Sequence, residues 1–151
     1  MAKQPVSVLV LIHTPAHDVL LLERASHAGY WQSVTGSREG DEALAETARR
    51  EVGEETGIDA GAYRLVDWRL SNRFEIFEEW RYRYAAGVTH NLEHVFSLEV
   101  PERLPVQIAA DEHTAARWLP WREAADQVFS WTNRDAILLM GLHGVAGTGC
   151  R

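Results

Sequence analysis

Residues 36–58 read GSREGDEALAETARREVGEETGI, and the reading of this stretch decides the fold. Residues 42–56 hold no proline and several alanines, which predicts a helix with Asp41 as its N-cap and Gly57 as its stop. Ala45, Ala48 and Val52 share one stripe, the side that packs on a sheet. Glu51, Glu54 and Glu55 stand at i, i+3 and i+4, so their carboxylates crowd together, at a cost of about 0.2–0.5 kcal/mol per like-charge pair. Arg50 offsets part of that repulsion. Such a cluster reads either as a solvated helix face or as a site for a hard divalent cation, which takes oxygen ligands from adjacent turns. The glycine-bearing loop TGSREGD (35–41), just ahead of the helix, lets backbone come close to a metal or a phosphate.

Working outward, the chain alternates strands and helices. Segments 5–12 and 18–23 read as strands of a hairpin around HTPAH, and YWQSV (30–34) as a short strand. Residues 73–84, RFEIFEEWRYRY, alternate apolar and charged side chains and predict a strand. Segments 91–100 and 115–120 predict two more, and short helices are expected at 121–129 and 132–142. His90 and His94 would share a strand face, but no third ligand lies near, so a zinc site is set aside.

Composition bounds the function. A chain of 151 residues, 46% apolar and 25% charged, suits one domain with its own core. We expect that domain to cover residues 1–141, with the glycine-rich tail 142–151 flexible. The single cysteine, Cys150, excludes an internal disulfide and a cysteine metal site, and fits a reducing compartment. The apolar run Val6–Ile12 is too short for a signal peptide, and no stretch approaches the ~20 apolar residues that span a bilayer, so the expectation is cytoplasmic with no membrane partner. A net charge of −7 argues against nucleic acid as a partner. An anionic small molecule can still bind where metal ions neutralise the carboxylates. The residues do not choose between monomer and homodimer.

The spacing in residues 36–58 is specific. Gly36, five residues, Glu42, seven residues, Arg50-Glu51-Val52, one residue, Glu54-Glu55, one residue and Gly57-Ile58 resemble the complete signature of the Nudix hydrolases. The resemblance implies an α/β (α+β) fold with a mixed β-sheet sandwiched between α-helices. It implies metal-assisted attack of water on a phosphorus, with Mg²⁺ as cofactor and Mn²⁺ able to substitute. By position it makes Glu51, Glu54 and Glu55 metal ligands, and Glu42 and Arg50 an ion pair that orients them. Gly36 would supply a turn with a carbonyl nearby.

The flanks narrow the resemblance. KQPVSVLVLI (3–12), YWQSVTGS (30–37), FEIFEEWRYRYAAGVTHN (74–91) and SWTNRDAI (130–137) are similar to a bacterial branch of the family. That branch removes pyrophosphate from dihydroneopterin triphosphate, a step of folate biosynthesis, and leaves the monophosphate. The similarity implies that Lys3 and Arg24 meet phosphates or the substrate's polar edge, that Thr35 offers a hydroxyl or carbonyl, and that Ser130 touches substrate. Glu112, or its neighbour Asp111, would be a further metal ligand or a general base. Plainer readings stand beside these: a loose terminus for Lys3, a surface ion pair for Arg24, a helix N-cap for Ser130. Two rival functions also stand, a nucleoside triphosphate pyrophosphatase of the housecleaning kind and a non-catalytic metabolite sensor.

Overall fold

The first strand explains most of the architecture. β1 (Val6–His13) is an almost unbroken apolar run, buried on both faces, as a central strand of a mixed sheet must be. In a computed structural model, which describes residues 2–146, β1 runs parallel to β6 (His90–Glu99) along its whole length, from Val6↔Leu92 to His13↔Glu99. On its other side it pairs antiparallel with β4 (Val34–Ser37). β2 (Asp18–Arg24) forms the expected hairpin with β1 only at its base, where His13 faces Val19. It then diverges to pair with β7 (His113–Pro120) and β3 (Trp31–Gln32). β5 (Arg64–Glu75) closes the far edge against β6.

Because strand side chains alternate, β1 feeds two cores. Val8, Val10 and Ile12 join Phe96 and Leu98 beneath α1 (Leu44–Thr56), which contributes Ala48 and Val52. Leu9 and Leu11 join Val19, Leu21 and Val95 beneath α2 (Trp121–Gln127) and α3 (Trp131–Ala146). The result is a mixed sheet between helices, as expected. No helix among the described residues is long and apolar enough to cross a membrane.

Several boundaries differ from the sequence reading, each for a physical reason. The strand expected at 73–84 ends at Glu75, where the pairing with β6 runs out at His90. Glu78–Arg83 form a 3-10 helix instead, and Phe77 and Trp80 pack on Phe129. The first part of β5 is missed because it alternates only between exposed and half-buried positions. It also carries a bulge at which Arg69, with φ 53°, donates its N–H to Asp67. Thr35, Gly36 and Ser37 belong to β4 rather than to a loop. Asp41 is not the N-cap: Ala43 holds that position with no side-chain cap, while the carboxylate of Glu42 accepts the Glu39 N–H and the Thr47 hydroxyl. α2 stops at Gln127, and α3 continues past 142 to Ala146. The remainder of the tail, 147–151 with Cys150, lies outside the described residues.

Within α3, Gly141 is a packing residue. A Cβ there would fall inside the Trp121 ring. In a helix interior Gly→Ala ordinarily gains about 1 kcal/mol, whereas overpacking costs about 1–3 kcal/mol. The net is a loss of up to about 2 kcal/mol, so Gly141→Ala is expected to lower the melting temperature by up to roughly 8 °C. A rise on thermal denaturation would contradict the packing of α2 on α3.

Candidate active site

The acidic stripe of α1 is not a solvated face. Val52 and Ala48 seat the helix on the sheet, and that rotation carries Glu55 to 1% exposure with Glu51 largely buried beside it. Glu54 stays exposed, held by Arg50 at 3.3 Å. The helix ends at once: Gly57 adopts φ 75° and donates its N–H to Gly53 at 3.0 Å, a left-handed cap that glycine adopts without strain. Gly36 works differently from the expected turn residue. It lies in β4 opposite Val8, and the carboxyl of Glu51 occupies the space where a Cβ would stand. Its missing side chain is what lets the helix carboxyl reach the strand.

Arg50 orders this end of the helix with its forked guanidinium. Nε and one terminal nitrogen grip Glu42 at 2.8 and 3.0 Å, the same terminal nitrogen reaches the Ser37 carbonyl at 3.0 Å, and the other reaches Glu51 at 2.8 Å. Such bidentate, charge-assisted contacts fix geometry as well as charge. The Arg50 hydrogen bond, aided by the Glu39 N–H, pulls the Glu42 carboxyl down to about 2. The same contacts push the Arg50 pKa up.

Glu51 and Glu55 are pushed the other way. Burial raises both, Glu55 well above the ordinary carboxylate range; Glu51 adds to the rise at Glu55, while the hydrogen bond between the two favours ionised Glu51. Arg50 draws Glu51 partly back, and a backbone hydrogen bond from Thr35 does the same for Glu55. Glu55 Oε1 is buried without a hydrogen-bond partner. The nearest cationic candidate is His113, 3.7 Å away, but burial holds that imidazole at about 4, so it is neutral at pH 7. His113 was not singled out from sequence; its place on an alternating strand next to Glu112 was the available signal.

An orphaned buried carboxylate oxygen, a second carboxylate beside it, and a glycine cradle make a donor set that fits a hard divalent cation. The set is not fully gathered: among the described residues no three acidic, histidine or cysteine side chains already stand together at ligating distance. Glu112 and Asp111 line the same cavity from the segment before β7, and the charge of Glu112 is felt at Glu55.

That cavity, about 960 Å³, also collects the other residues implicated by sequence. Lys3 is ordered, its N–H bonded to the Arg83 carbonyl at 2.8 Å, and burial and Arg83 lower its pKa. Arg24 is no surface ion pair: it donates to Gln32 at 3.2 Å, lies 4.6 Å from the centre of the Trp80 ring, and keeps a buried Nε without a partner. Thr35 spends its hydroxyl on the Val8 carbonyl at 2.9 Å, which leaves its backbone for Glu55. Ser130 lines the cavity and also caps α3, accepting the Asn133 N–H at 3.2 Å. Phe77, Trp80 and Phe129, packed on one another, give the same cavity an aromatic wall.

A mixed sheet between helices, with buried carboxylates on one helix and cationic side chains lining one cavity, fits the class of metal-assisted phosphate-ester and anhydride hydrolases. The chain belongs to the NUDIX domain family, whose domain matches residues 3–140, and it is a Nudix hydrolase. It is 45% identical over 138 residues to a dihydroneopterin triphosphate diphosphatase of Escherichia coli strain K12, covering 89% of this chain and 91% of that protein. It is 41% identical to the Haemophilus influenzae protein of the same name, covering 87% of this chain and 84% of the relative. The structure of the E. coli dihydroneopterin triphosphate pyrophosphohydrolase superposes with a TM-score of 0.87 at 42% identity, over 92% of this chain and 96% of that one.

Divalent metal should therefore stabilise the protein. At a hundredfold excess over Kd the gain is about 2.7 kcal/mol, a rise of roughly 5–10 °C in melting temperature. Glu55→Gln and Gly36→Ala should each reduce the response. With chelator present the sign with pH is fixed by the raised carboxyl pKa values. Stability is full below about 4.5 and is lost as pH rises through the folded values, and Glu55→Gln should flatten that decline. Melting curves from pH 4 to 8 check both; an unchanged Mg²⁺ response in Glu55→Gln would sink the assignment.

Proposed function

We propose that this chain is a Mg²⁺-dependent pyrophosphohydrolase of dihydroneopterin triphosphate, releasing pyrophosphate and leaving dihydroneopterin monophosphate. The observation that carries the reading is one continuous cavity joining buried carboxylates, three basic side chains (Lys3, Arg24 and Arg83) and an aromatic wall. The two named relatives, alike over nearly their whole length, support the choice of substrate. In this reading a single catalytic domain over residues 1–141 does the work, and Mn²⁺ substitutes for Mg²⁺. The setting is cytoplasmic, in keeping with the lone cysteine.

Each residue then has a task. Glu51 and Glu55 hold the metal, which when bound neutralises phosphate oxygens and makes a water nucleophilic. Glu54, solvent-facing, and Glu112, from the segment before β7, would complete the oxygen ligands, with Glu112 also able to accept the proton of the attacking water. Arg50 and Glu42 keep Glu51 aimed. Lys3, Arg24 and Arg83 neutralise the phosphate chain. Water's oxygen bonds to a phosphorus, the P–O–P bond breaks, and pyrophosphate leaves with the electron pair. The exposed side of the ring stacks on Trp80 and its neighbours.

Pyrophosphate release from dihydroneopterin triphosphate in Mg²⁺ should exceed that from each common nucleoside triphosphate. Glu55→Gln should reduce it by on the order of 10²–10³-fold, the loss seen when one preorganised electrostatic group is removed. Better turnover of a nucleoside triphosphate would move the chain to the housecleaning reading, and no turnover of any would favour the sensor.

A further inference from the structure

The phosphate-handling groups leave one part of the cavity unexplained. Two residues apart on β6, Asn91 and Glu93 point to the same face of the sheet and line the cavity. They are 3% and 5% exposed. Asn91 uses its amide nitrogen on the Ser7 hydroxyl at 2.7 Å, and its Oδ1 has no partner. The Thr132 side chain favours the ionised Glu93 carboxyl, yet Glu93 Oε1 has no hydrogen-bond partner. Two buried acceptors side by side without donors cost about 1–3 kcal/mol each, and nothing in the catalytic chemistry uses them. Phe74, Phe77 and Trp80 line the same cavity, surroundings that suit a flat ring carrying its own donors.

We propose that Asn91 and Glu93 form a ring-reading subsite. The Glu93 carboxyl takes hydrogen bonds from a ring N–H and an adjacent exocyclic amino group, and Asn91 Oδ1 accepts a further N–H from the ring. The inference rests on the pterin reading, because a 2-amino-4-oxo pterin presents that pair of adjacent donors. A carboxylate accepts such a pair in bidentate fashion, as it accepts an amino group at a base edge. The placement suits a triphosphate bearing such a ring. β4, against which Glu51 rests, and β6 flank β1 on opposite sides, about 10 Å apart at ordinary strand spacing. Phosphates at one end and ring at the other thus fit one substrate. Burial also pushes the Glu93 carboxyl up to about 7, in keeping with a charge whose counter-donors are brought by the ligand.

The test is steady-state kinetics on Glu93→Gln and Asn91→Ala, with the melting response to Mg²⁺ recorded for each. Expected is a KM for dihydroneopterin triphosphate raised about 10–150-fold, the discrimination of a bidentate contact, with kcat and the Mg²⁺ response close to wild type. A KM near the wild-type value in both variants overturns the proposal. So does a matched loss of kcat and melting temperature in both, which would make the pair structural. Should the wild-type enzyme act on purine triphosphates and not on the pterin, the functional reading falls separately. The pair is then tested by guanosine against inosine triphosphate, which lacks the 2-amino group: a preference erased by Glu93→Gln supports the subsite, and one that persists refutes it.

Discussion

Two carboxyl groups one helical turn apart, out of water, set the terms for the rest of this molecule. Burial makes ionised Glu51 and Glu55 costly, and the charge of Glu51 adds to the cost at Glu55; the fold is arranged around keeping them in place. Gly36 gives up a side chain to admit one of them. Arg50 restrains it with a fork anchored on Glu42 and the Ser37 carbonyl. The cap at Gly57 stops the helix two residues beyond Glu55. A buried charge that only cost stability would be a poor design, since an apolar residue would do better. Its persistence makes sense if a cation supplies the missing counter-charge.

The remainder of the cleft divides its labour along the sheet. β4 and α1 present oxygen, the chain around Lys3, Arg24 and Arg83 presents positive charge, and the 3-10 helix after β5 brings aromatic rings. The parallel register of β1 and β6 sets Ser7 beside Glu93, and both line the cavity. Arg24 joins the two, with its guanidinium over Trp80 and its charge felt at Lys3.

What could be read from sequence followed the reach of each signal. The helix and its carboxylates are local in the chain, so spacing set Glu51, Glu54 and Glu55 on one side, the likeness to the Nudix signature chose a metal site over a solvated face, and β1 declared itself by its unbroken apolar run. Gly36 was recognised by position but not by cause, because its reason is a tertiary approach by Glu51. The strand reading of 76–84 failed because alternation needs a partner strand, and β6 offers none beyond His90. Asn91, Glu93 and His113 escaped notice for a similar reason. A polar residue at an inward position looks like any polar residue until neighbouring strands and helices show that it is buried and unsatisfied.

The central claim is that the buried carboxyls exist to take up a divalent cation, and proton release tests it most directly. Titrating metal-free protein with Mg²⁺ by calorimetry, in buffers of different ionisation enthalpy, counts the protons displaced. The account expects protons to leave as the ion enters, with less release and weaker binding in Glu55→Gln. Binding with no proton release, equal in wild type and Glu55→Gln, would contradict it.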